Sequence, residues 1–87
     1  MSYAKIASLI IFLLVLAPSA KAEDRAAMGN AAFEQGDFQK AATHYAEALR
    51  SKPSFALHVN LGHCYTRLEQ WNDAAQAYRA AIELDGE

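Results

Sequence analysis

At 87 residues the chain has room for at most one small domain. Its formal net charge of −2 becomes −4 once a leader carrying Lys5 and Lys21 is set aside, which leaves 6 basic residues against 10 acidic ones. A mildly acidic surface argues against nucleic acid or anionic lipid as the partner, and a single cysteine, Cys64, excludes an internal disulfide.

Residues 1–22 have the layout of a secretory signal peptide. Met1 to Lys5 is a short start with one positive side chain. Ile6 to Ala17 is a run of twelve uncharged, mostly aliphatic residues, and Pro18 to Ala22 brings small residues at Ala20 and Ala22. Cleavage after Ala22 is expected, giving an exported chain of bacterial type, periplasmic or secreted, that begins at Glu23. A retained membrane anchor would need about 20 apolar residues, and this run is stopped by a proline well before that. No Leu-x-x-Cys pattern marks a lipoprotein.

From there the pattern predicts four helices. The first covers Asp24 to Gln35 and is closed by Gly36, whose freedom at positive φ suits the end of a helix. Asp37 is placed to cap a second helix, Phe38 to Ser51. Pro53 disfavours helical geometry at Lys52, and Ser54 caps a third helix from Phe55 to Leu68. Glu69-Gln70 is a weaker break without a glycine, so this corner is expected to be tighter or partly helical. The fourth helix covers Trp71 to Leu84 and ends at Asp85-Gly86. Breaks this short make neighbouring helices antiparallel, so the expected fold is all-α, two helical hairpins in a row.

Those hairpins repeat one another at an offset of 33 residues. Gly29 aligns with Gly62, Ala41 and Ala42 with Ala74 and Ala75, Tyr45 with Tyr78, and Ala48 with Ala81; Met28/Leu61, Phe38/Trp71 and Leu49/Ile82 are conservative pairs. The spacing makes one apolar face of Phe38, Ala41, Ala42, Tyr45, Ala48 and Leu49, and a matching face of Trp71, Ala74, Ala75, Tyr78, Ala81 and Ile82. Leu57, Leu61, Cys64, Tyr65 and Leu68 form a third such face. Gly29 and Gly62 lie mid-helix, where glycine costs about 1 kcal/mol relative to alanine. That is tolerable where the other helix of the hairpin passes too close for a Cβ, with Ala41 and Ala74 as the facing small surface.

These positions resemble the tetratricopeptide repeat, a helix-turn-helix unit of about 34 residues. In the first copy Gly29, Ala41, Tyr45, Ala48 and Pro53 match the pattern, and Gly36-Asp37-Phe38 resembles the usual turn; in the second Leu61, Gly62, Tyr65, Ala74, Tyr78 and Ala81 match. The resemblance covers nearly all of Ala26 to Gly86. The departures are Ala32 in place of an aromatic, Glu69 in place of the turn glycine, Gly86 in place of the closing proline, and a link one residue short between the copies. An exported leader before such a pair is also similar, loosely, to the repeat region of bacterial aerotolerance-type Bat proteins.

The resemblance implies a short α-solenoid, residues 23–87, with repeats at about 23–54 and 55–87, that binds a protein or peptide segment on the concave face lined by the first helix of each hairpin. Carried over position by position, the groove residues are Ala26, Asn30, Phe33 and Glu34, then Val59, Asn60, His63, Thr66 and Arg67. Asn30 and Asn60 can hydrogen-bond a peptide backbone, and Arg67 can pair with a carboxylate. Ala26 and Val59 stand where some members of the family carry lysines that clamp a C-terminal carboxylate, which speaks against that mode. The alternative is a structural subunit, or part of a longer array, that self-associates through an uncapped last hairpin near Ala80 and Glu83.

Little else in the chain suggests chemistry. His58 and His63 are five apart and do not share a helix face, so no metal site is expected. His63 and Cys64 are adjacent and point apart, a poor nucleophile and base, and there is no Gly-rich phosphate loop. Cys64 reads as a small buried side chain rather than a reactive thiol or an intermolecular bridge. The aromatics Phe38, Tyr45, Tyr65, Trp71 and Tyr78 read as core; Phe33 is expected at the groove and Phe55 at the junction of the hairpins. The chain is therefore expected to be a non-enzymatic interaction module without cofactors.

Overall fold

A computed structural model describes residues 21–85. The expected leader lies outside the described residues apart from Lys21 and Ala22, as does the expected ending at Gly86. Four helices follow one another: α1 (Ala22–Glu34), α2 (Phe38–Ser51), α3 (Phe55–Arg67) and α4 (Trp71–Asp85). α1 packs on α2, α3 on α4, and α2 on α3, so two hairpins stack side by side. This is the all-α pair of helical hairpins that the short breaks predict, stacked as the family resemblance implies.

Local chemistry sets the boundaries. Glu23 and Asp24 lie in the first turn of α1, where negative charge offsets the helix dipole. The Asp37 carboxylate accepts from the Lys40 backbone N–H at 3.2 Å, and Ser54 Oγ accepts from that of Leu57 at 3.2 Å. Each cap satisfies one of the donors a helix start leaves free.

The two hairpin corners are superimposable in their bonding. At the first, Gly36 N–H donates to Phe33 O at 2.9 Å and Asp37 N–H to Ala32 O at 2.9 Å. At the second, Glu69 N–H donates to Thr66 O at 3.0 Å and Gln70 N–H to Tyr65 O at 2.8 Å. The tighter, partly helical corner expected at Glu69-Gln70 is thus corrected. Glu69 adopts φ 60°, the left-handed conformation that Gly36 takes at φ 79°, because closing both helix ends requires it whichever residue is present.

The core is thin and built from small residues. Ala32, Ala41, Ala42, Tyr45, Leu61, Cys64 and Ala77 form one buried cluster, with Phe33, Leu49, Leu57 and Tyr65 packed against it. The expected core roles of Trp71 and Ile82 are corrected: they are 62% and 68% exposed. Their counterparts Phe38 and Leu49 are half-buried, because the second hairpin lies against α2. Among the described residues nothing lies against α4 in that way.

The role of the mid-helix glycines also differs from expectation. A Cβ on Gly29 would stand 2.6 Å from Tyr45 Cε1, and one on Gly62 would stand 2.5 Å from Tyr78 Cε1. The tyrosine rings, not Ala41 and Ala74, occupy the space the glycines leave, since only a flat ring reaches across the hairpin to lie on the backbone. No described helix is long and apolar enough to cross a membrane.

Candidate functional site

α1 and α3 are the first helices of the two hairpins and lie on the same side of the stack. Between them opens a cleft of about 260 Å³ lined by Asn30, Phe33 and Glu34 from α1, Asn60 and His63 from α3, and Tyr45 from α2. A second cleft of about 330 Å³ continues past Asn30 and Asn60, which line both, to Ala26, Leu57, Lys52 and Glu23. Five residues named for the groove from sequence therefore share one cleft, and Ala26 lines its extension. Val59, Thr66 and Arg67 line neither.

Those three are placed otherwise. Val59 is half-buried on α3. Thr66 Oγ1 donates to the Gly62 carbonyl at 2.9 Å. The Arg67 guanidinium lies 4.8 Å from the centroid of the Phe38 ring, and Phe38 meets Phe33 edge-on with centroids 5.1 Å apart. A cation over an aromatic face contributes about 0.5–1 kcal/mol at an exposed site, so Arg67 helps join the second hairpin to the first.

Tyr45 is the groove residue that sequence reasoning assigned to the core alone. Its ring is buried at 2% exposure, yet its hydroxyl donates to Asn30 Oδ1 at 2.5 Å at the base of the cleft. The signal was present: both copies carry tyrosine rather than phenylalanine, and a buried phenol needs a polar partner. One repeat later Tyr78 makes the corresponding contact, its hydroxyl 2.9 Å from His63 Nδ1. The two rings meet edge-on with centroids 5.8 Å apart. Burial first, then the nearby Cys64 and Glu34, raises the Tyr45 pKa above 10, so the phenol keeps its proton at neutral pH.

Elsewhere the chemistry is quiet. Burial pushes the Cys64 thiol up to about 11 and its side chain is wholly enclosed. His63, beside it in sequence, instead faces Tyr78. His44 lines a cleft with Met28, Ala31, Ala32, Gln35 and Lys40, whereas His63 lines the groove. Among the described residues no three of His, Cys, Asp or Glu come together as a metal site.

The comparisons with known proteins agree with this architecture. The sequence profile of the tetratricopeptide repeat matches residues 26–87. Sperm-associated antigen 1 of Mus musculus is 32% identical over 57 residues, 66% of this chain. The Homo sapiens protein of the same name is 30% identical over 57 residues. The match spans 6% of the length of either relative.

Proposed function

This chain belongs to the tetratricopeptide repeat family, and we propose that it is a non-enzymatic scaffold that holds a polypeptide segment in the groove between α1 and α3. Repeats of this family generally mediate protein–protein interaction. The observation that carries the reading is the shared cleft of Asn30, Phe33, Glu34, Asn60 and His63. It offers amide donors and acceptors, one acidic group and an aromatic edge, which suit a polar, extended chain better than a compact apolar ligand. The leader-like pattern of residues 1–22 supports a place in the cell envelope for this scaffold.

Site-specific photocrosslinking tests it. A photoreactive residue at Asn60 or Glu34 is expected to capture a polypeptide in the envelope fraction, whereas one at Arg50, outside the groove, is not. Equal capture from all three positions would refute the groove as the binding face.

A second reading rests on the exposure of Trp71 and Ile82. Because the equivalent residues of the first hairpin are covered by the second, the α4 face is shaped to receive a further helix, whether of another hairpin or of a second copy. Mass by light scattering distinguishes the two: a second copy gives a concentration-dependent mass that Trp71→Ser abolishes.

A further inference from the structure

We propose that Tyr45 and Tyr78 are positioning residues that fix the polarity of the groove, holding Asn30 and His63 so that each turns an N–H donor outward, and that the segment recognised there presents backbone carbonyl oxygens to them. The proposal rests on the reading of this cleft as the binding face and names the chemistry it selects.

In each repeat a tyrosine ring lies on a glycine, and that seat delivers the hydroxyl to the next residue along the first helix: Asn30 after Gly29, His63 after Gly62. In the first repeat Asn30 Oδ1 is the only acceptor of the Tyr45 hydroxyl among the described residues. A carboxamide has one oxygen and one NH2 group. With the oxygen engaged below, the two N–H donors remain for the cleft.

In the second repeat Tyr78 has two neighbours, His63 Nδ1 at 2.9 Å and Thr66 Oγ1 at 3.5 Å. The Thr66 hydrogen is already directed to the Gly62 carbonyl at 2.9 Å, so Thr66 does not donate to Tyr78. Thr66 Oγ1 and His63 Nδ1 are then the two acceptors open to the Tyr78 hydroxyl, and the proposal assigns its hydrogen to His63 Nδ1, the nearer of them. A neutral imidazole that accepts at Nδ1 carries its hydrogen on Nε2. Two donors, at the same position of successive repeats, then line one cleft. Glu34 lines it too and disfavours an anion there, so a neutral carbonyl is the acceptor that fits rather than a carboxylate.

Nitrogen NMR on the labelled chain tests this. The imidazole shifts of His63 are expected to report the Nε2–H tautomer alone, and Tyr78→Phe to give a mixture of tautomers. N,N-dimethylacetamide, which only accepts, is expected to shift the Asn30 side-chain amide and His63 Nε2 signals saturably. Acetate at the same low concentration, an acceptor repelled by Glu34, leaves them in place. Tyr45→Phe, which keeps the ring on Gly29, is expected to reduce the Asn30 response severalfold. A mixed tautomer in the parent chain, a response to acetate in place of the amide, no saturable response, or unchanged behaviour in the phenylalanine variants would each overturn the proposal. If Tyr45→Phe unfolds, Tyr78→Phe decides alone, since Tyr78 is only half-buried. Groove crosslinks that persist while these signals fail would sink this proposal and leave the groove reading standing.

Discussion

The ring of Tyr78 lies on Gly62 as the ring of Tyr45 lies on Gly29, but only Tyr45 is held there from all sides. Alanine at either glycine gains about 1 kcal/mol of helix propensity and meets a ring carbon. Tyr45, at 2% exposure, cannot move aside, so overpacking of about 1–3 kcal/mol outweighs the gain. Tyr78 is half-buried and can swing outward. Gly29→Ala is therefore expected to lower the melting temperature clearly and Gly62→Ala to change it little. A thermal melt of both variants checks the order.

Glu69 holds a left-handed backbone that costs a residue with a side chain about 1–2 kcal/mol. Glycine removes that cost and adds about 0.4–1 kcal/mol of unfolded-state entropy. Glu69→Gly is expected to stabilise the chain by about 0.5–1 kcal/mol, and Gly36→Ala to destabilise it by a similar amount. Urea unfolding midpoints of the pair read out the two signs.

Burial raises Cys64 from an ordinary 9.0 to about 11 and raises Tyr45 and Tyr65 above 10.0. The folded state thus holds protons the unfolded chain releases first. The stability these groups contribute is intact below about pH 9 and is lost as pH rises towards about 11. Melting temperature against pH should fall across that window, and less steeply in Cys64→Ala. At pH 8 iodoacetamide should label Cys64 only as fast as the chain opens, whereas a labelling rate equal to that of free cysteine would contradict the burial.

Trp71 is the only tryptophan, which makes the α4 face directly visible. Its emission is expected at the long wavelength of a hydrated indole and to move to the blue when a helix covers the face. Trp71→Ser and Ile82→Ser are expected to alter stability by no more than about 0.5 kcal/mol. Leu61→Ala, in the core, should cost about 2–5 kcal/mol.

Much of this was legible in the sequence. The 33-residue offset, the caps Asp37 and Ser54 and the break at Pro53 are enough to place all four helices, and the resemblance to the tetratricopeptide repeat implies the co-location of Asn30 and Asn60. What escaped was set by packing between elements. Trp71 and Phe38 are equivalent by pattern, but periodicity marks a face as apolar without saying whether anything lies on it. Glu69 has no intrinsic preference for its conformation and is driven there by the helix ends it joins. Tyr45 was seen as a ring and not as a hydroxyl, because apolar periodicity does not register where a polar tip ends up.

The glycine and tyrosine of each repeat have a consequence for how such a chain can change over generations. They carry the packing, while the residue beside the glycine, asparagine in one copy and histidine in the other, is exposed and contributes little to it. Substitution there by another side chain that still takes the tyrosine hydroxyl's hydrogen bond can alter what is recognised without a corresponding loss of foldability. One address per repeat is thereby left open to selection for new partners, on a frame that stays the same.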